Sequence, residues 1–125
     1  MGDFKDFTQL DVWQKARILA NTVYIITNNF PKEEQFGLTS QLRRSAVSVP
    51  FNIAEGIGRS HSKEIIRFLE IARGSLFEIE TQIYISKDQN FINEEDFNQL
   101  LILLEENKKL LNGFIAYYKR KSNEN

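Results

Sequence analysis

The chain predicts an all-α, antiparallel up-down-up-down four-helix bundle, one domain spanning residues 1–125. Three observations lead there. Apolar residues recur in alternating steps of about 4 and 3 through four long segments, the spacing of a helix that buries one stripe. No segment shows the strict alternation of a strand. Only short breaks, rich in proline, glycine and asparagine, separate the segments, and short connections make successive helices antiparallel neighbours.

The first segment starts at Thr8 or Gln9 and carries the stripe Val12, Ala16, Leu19, Val23, Ile26, Phe30. Pro31 stops it, because proline disfavours helix in the residue before it. After a connector from Pro31 to Gly37, the second segment carries Leu38, Leu42, Ala46, Val49 and Ile53. Pro50 lies inside it, lacks an N–H and frees the Ala46 carbonyl, so a bend is expected there. Gly56 and Gly58 end it, since glycine tolerates a left-handed cap.

The third segment begins near Ser62 and carries Ile65, Leu69, Ala72, Leu76, Ile79 and Ile83. Gly74 and Ser75 are small residues in mid-helix, which points to close approach of a neighbouring helix. The fourth opens with Asn93 as N-cap and Glu94, Glu95 and Asp96 at the positive end of the helix dipole. Its stripe is Phe97, Leu100, Leu104, Asn107, Leu111, Phe114, Tyr118, and Lys119 to Lys121 suit its negative end. The expected spans are roughly 8–30, 38–56, 62–89 and 93–120, with ends 1–7 and 122–125 frayed.

Composition narrows the function. There is no cysteine, which removes disulfides, thiol catalysis and thiolate metal sites and fits a reducing cytoplasm. The start shows no apolar signal segment, and no run is long enough to span a membrane. Net charge is −1, so no global field draws the molecule to nucleic acid. The charge is uneven, however. From residue 43 to 73 there are six bases, Arg43, Arg44, Arg59, Lys63, Arg67 and Arg73, against three acids. From 74 to 118 there are eight acids against three bases. A near-neutral total therefore conceals a basic segment, which reads either as a phosphate-binding patch or as ordinary solvated helix faces.

No catalytic constellation emerges. The one histidine, His61, sits in the loop between the second and third helices, and a di-iron bundle needs a Glu-x-x-His on each of two helices. Serines have no base at hand, and Gly56-Ile57-Gly58-Arg59 lacks the Gly-Lys-Ser/Thr ending of a P-loop. No metal or cofactor is expected. Asn52, Glu55, Glu80 and Asn107 fall on or beside inward faces, where buried polar groups must pair, so they are expected to form a structural network. Ile18, Ile25, Phe68, Phe77 and Tyr84 exceed what one apolar face per helix requires. They are expected to be buried against another copy, or else to widen the core stripe.

Several separated motifs carry a resemblance. They are Val12-Trp13-Gln14-Lys15-Ala16, Phe30-Pro31-Lys32-Glu33-Glu34, the run Leu38 to Pro50, Asn52-Ile53-Ala54-Glu55-Gly56, Phe68 to Leu76 and Glu78 to Gln82. Together they resemble the family of proteins encoded in intervening sequences of 23S rRNA genes, and more loosely the accessory proteins of diversity-generating retroelements. The resemblance implies a four-helix bundle that assembles as a homopentamer, without catalytic residues. The retroelement proteins are strongly basic and bind nucleic acid, and this chain departs from them in its net charge. Two readings follow: a non-catalytic oligomer that binds RNA or DNA through the six bases, and a protein-interaction scaffold without nucleic acid.

Overall fold

The computed structural model describes residues 6–124, apart from the Glu124 side chain. A 3-10 turn at Phe7–Gln9 leads into α1 (Asp11–Thr27). A second 3-10 turn at Lys32–Glu34 precedes α2 (Leu38–Ile57), which is followed by α3 (Ser62–Asp88) and α4 (Glu94–Glu124). No strand occurs among the described residues. The expected fraying at 122–125 does not hold for Ser122 to Glu124, which continue α4. At the other end Asp6 caps the first turn by accepting from the Thr8 N–H at 3.0 Å, and residues 1–5 and 125 lie outside the described part.

The pairings give the direction of the helices. Between α2 and α3, Ser45 meets Glu78, Ser48 meets Ser75 and Gly56 meets Phe68. Numbers rise on one helix as they fall on the other, so the two are antiparallel. Between α3 and α4, Lys87 meets Glu94, Glu80 meets Lys108 and Glu70 meets Lys119, with the same result. Helix α1 packs on both α2 and α4 and closes the ring. The α2–α3 turn, the start of α1 and the end of α4 therefore share one end of the bundle. The two other connectors share the opposite end.

The expected stripes form the core. Leu19, Leu42, Ala46, Val49, Ile53, Leu69, Ala72, Leu76, Ile79, Ile83, Leu104 and Leu111 are at most 1% exposed. Each large aliphatic among them contributes on the order of 1.5–3 kcal/mol by leaving water. Ile115 is buried where Phe114, one position earlier, stays half-buried. Helix α2 continues through Pro50 to Ile57 without interruption.

The caps differ from expectation at glycine. Gly58 has φ −77, and no described glycine has positive φ, so α2 does not end in a left-handed glycine cap. That conformation appears after α3 instead, where Asn90 has φ 62. Here the Phe91 N–H donates to the Ser86 carbonyl at 2.9 Å and the Asn90 N–H to the Lys87 carbonyl at 3.1 Å, a Schellman closure. Gly56 serves packing. A Cβ there would stand 2.9 Å from the Phe68 Cβ and 3.3 Å from the Ile65 carbonyl oxygen. Gly74, expected at a close approach, has nothing within 4 Å of a built Cβ.

The two glycines should thus respond oppositely to alanine. Gly56→Ala is expected to destabilise the fold by about 1–3 kcal/mol, because Phe68 and the α3 backbone must move. Gly74→Ala is expected to stabilise it by up to about 1 kcal/mol, since the helix gains propensity without a clash. Urea unfolding of both variants checks this, and equal effects would contradict the packing account.

Candidate nucleic-acid interface

The six bases expected to meet phosphate do not form one patch. Arg43 is committed to the fold. Its Nε donates to Thr27 Oγ1 at 2.9 Å and its terminal nitrogen to Asn28 Oδ1 at 3.0 Å, while the guanidinium lies 4.7 Å from the Tyr24 ring centre. It closes the C-terminus of α1, where carbonyls lack intrahelical partners. Arg73 is also engaged, donating to Asn112 Oδ1 at 2.9 Å and pairing with Glu70 at 3.7 Å. Arg44 is exposed on α2, but 15 residues of chain, roughly 22 Å of helix, separate it from Arg59.

Arg59, Lys63 and Arg67 do gather, around the α2–α3 turn. Arg59 pairs with Glu55 at 3.2 Å, and its guanidinium lies 4.6 Å from the Phe68 ring centre. Arg67 lies 5.2 Å from the same centre. Lys63 is exposed and makes no ion pair among the described residues. His61 beside them is exposed and makes no side-chain cap at the start of α3.

The fold adds a second basic group that composition could not place. The register joining Glu70 to Lys119 and Glu80 to Lys108 sets Arg67 level with the end of α4. Lys119, Arg120 and Lys121 therefore reach the same end of the bundle as the α2–α3 turn. Their sequence signal was the antiparallel topology itself, which returns α4 to the start of α3. The opposite end carries Glu33, Glu34, Asp88, Glu94, Glu95 and Asp96 beside Lys32 and Lys87. The two ends thus differ in charge: these six cations share theirs with Asp6, Asp11, Glu55, Glu64 and Glu70, whereas acids outnumber bases at the other.

The sequence model of the 23S rRNA-intervening sequence proteins matches residues 8–113. The chain belongs to that family. A solved structure shares the fold: a protein of unknown function from the S23 ribosomal protein family of Bacteroides thetaiotaomicron. The likeness has a TM-score of 0.76 at 24% identity, over 84% of this chain and 95% of that one. No curated protein matches.

In this family member the interior polar set divides. Asn107, 2% exposed, donates to the Leu103 carbonyl at 2.8 Å and across to the Lys15 carbonyl of α1 at 3.3 Å. Asn52 donates to Ser48, whose hydroxyl bonds that of Ser75 on α3 at 2.8 Å. Glu55 is not part of the interior: it is exposed and pairs only with Arg59 among the described residues. It lies on the outer side of α2, one residue past the face that buries Asn52 and Ile53. Glu80 pairs with Lys108 at 2.6 Å across α3 and α4. These are separate helix-to-helix ties rather than one connected network.

Of the apolar residues expected at an interface, Ile18, Ile25, Phe77 and Tyr84 are exposed by 46–67%. Phe68 is half-buried, held between Gly56 and the two arginines. Sequence reasoning missed Phe36, at 90%, and Phe51 and Ile102, each above 60%, because they lie outside the stripes. No helix among the described residues is long and apolar enough to cross a membrane, and no group of three His, Cys, Asp or Glu there could hold a metal.

The Glu80–Lys108 tie predicts an alkaline weakness. The hydrogen bond from Lys108 to Glu80 raises the ammonium pKa above its ordinary 10.5. Its stabilisation is complete below that value and is lost as pH rises through the raised one. Burial pushes the Tyr118 phenol up to about 12, so between about 10 and 12 the folded state holds a proton that the unfolded state releases. Both effects lower stability with rising pH. Urea unfolding is expected to weaken above about pH 10, and less steeply in Lys108→Met/Tyr118→Phe. Lys108→Met alone, at neutral pH, is expected to cost about 1–3 kcal/mol by stranding Glu80.

Proposed function

We propose that the protein is a non-catalytic, cytoplasmic homo-oligomer that grips the phosphates of RNA or DNA with its basic end. One observation carries this reading: Arg59, Lys63 and Arg67 share an end of the bundle with Lys119, Arg120 and Lys121, more than 50 residues later. The six cations share their tip with Glu64 and with Glu55 and Glu70, which pair with Arg59 and Lys119, while acids predominate at the far tip, so this is the end a polyanion approaches although the net charge is −1. Phosphate contacts of this kind are insensitive to base sequence and sensitive to salt.

Assembly rests on the sides of the bundle. At least eleven large apolar side chains among the described residues are 42% exposed or more. Where such residues adjoin on one flank they favour an interaction surface. A homopentamer, which the family resemblance implies, would repeat the basic end five times and gain avidity along one strand. The same apolar sides favour the second reading, a scaffold for protein partners without nucleic acid.

Fluorescence anisotropy with single-stranded RNA and duplex DNA, at low and physiological salt, separates the two. Binding is expected at low salt, falling as salt rises with a log–log slope on the order of −4 for six phosphate contacts on a single strand. Replacing Arg59, Lys63 and Arg67 by alanine should weaken it at least tenfold. Absence of binding at low salt leaves the scaffold reading in place. Light scattering at micromolar concentration is expected to give a mass several times the 14.6 kDa of one chain. A monodisperse monomer would rule out the assembly.

A further inference from the structure

Two arginines at the basic end share one aromatic ring. Arg59 comes from the turn after α2 and Arg67 from the second turn of α3, yet their guanidinium carbons lie 4.6 and 5.2 Å from the centre of Phe68. The root of the side chain packs on α2, because the Phe68 Cβ occupies the space that a side chain on Gly56 would need, 2.9 Å from its Cβ position. An aromatic face attracts a guanidinium, and the planar fork keeps its N–H donors in a fixed pattern suited to phosphate oxygens. Two carbons 4.6 and 5.2 Å from one point are at most about 10 Å apart, and where both meet the same face or edge of the ring they come within reach of one phosphate through charge-assisted bonds of about 2.8 Å.

We propose that Phe68 is a positioning residue that presents Arg59 and Arg67 as a clamp for a single phosphodiester phosphate. This rests on the nucleic-acid reading above and adds to it a defined ligand group and geometry. Lys63 stands midway in sequence between the two arginines, makes no ion pair among the described residues, and supplies a third charge. Glu55 holds Arg59 at 3.2 Å in an exposed pair. Such pairs are weak, so an arriving phosphate displaces the carboxylate at little cost.

The test compares Phe68→Leu, Phe68→Tyr and Glu55→Gln with the wild type by anisotropy, using labelled single-stranded RNA and duplex DNA in separate arms. Phe68→Leu keeps an apolar side chain but removes the ring face, and is expected to weaken binding five- to tenfold. Phe68→Tyr restores the face and should bind within twofold of wild type. Glu55→Gln should bind two- to threefold more tightly. A Phe68→Leu loss in either arm supports the clamp and identifies its polymer. If the wild type binds and Phe68→Leu binds equally well, or if Phe68→Tyr is as weak as Phe68→Leu, the clamp is wrong while the basic-end reading stands. If the wild type binds neither polymer at low salt, both fail. Should Phe68→Leu unfold, the wild type still decides: its Arg59 and Arg67 side-chain proton resonances must be displaced by the ring current. Ordinary shifts there overturn the proposal.

Discussion

Contact between the Phe68 side chain and the bare backbone of Gly56 sets how near α2 and α3 lie at the end of the bundle where they join. Much else follows from that spacing. The helices are linked by only four residues, Gly58 to His61, so they must already be close when the chain turns. Further along the same seam, Ser48 meets Ser75 and Ser45 meets Glu78 in matching register. Small hydroxyl residues fit a narrow seam and satisfy one another there, whereas unpaired ones would cost about 1–3 kcal/mol each. The steric contact and the polar ties therefore enforce a single register.

That register decides which charges become neighbours. A helix pair fixed at the α2–α3 turn, followed by an antiparallel α4, returns residues 119–121 to residues 59–67. Charges that look like a dispersed segment and a tail become one tip. The fold also withdraws charges from use. Arg43 is held by Thr27, Asn28 and Tyr24 to finish α1, and Arg73 is held by Glu70 and Asn112. A basic residue near a helix C-terminus has structural employment available, and a count of charges cannot distinguish it from one that faces solvent.

The architecture was legible because its signal is periodic. The stripes through Val12, Leu42, Leu69 and Leu104 gave the helices to within a few residues, and Asn93 was readable as the cap of α4, its Oδ1 accepting the Asp96 N–H at 2.7 Å. The site was less legible, for reasons of angle and partner choice. Glu55 and Asn52 are three residues apart, yet that step takes one to the surface and leaves the other inside. Phe68 looked like surplus apolar surface, and only its position over Gly56 reveals it as a shelf for arginine. Gly56 reads locally as a helix cap and Gly74 as a close approach, but the close approach is at Gly56, explained by a residue twelve positions away.

Side and tip are separate surfaces, and this bears on how the proposed assembly and the proposed binding would combine. Ile18, Val47, Phe77 and Ile102 lie along the lengths of four different helices, not at their ends. Copies joined through such residues meet flank to flank, leaving both tips open. In a ring with cyclic symmetry every copy points the same way, so all the basic tips fall on one rim and all the acidic tips on the other. In such a ring the end-facing acids, Asp88 and Glu94 to Asp96, would be turned from the proposed polyanion on every subunit at once. Gly74 fits the same geometry. It is exposed on α3, one turn from Phe77, and gives up about 1 kcal/mol of helix propensity for no contact within the monomer. In the proposed flank-to-flank assembly a neighbour would meet that bare position, so the stabilisation expected of Gly74→Ala belongs to the single subunit.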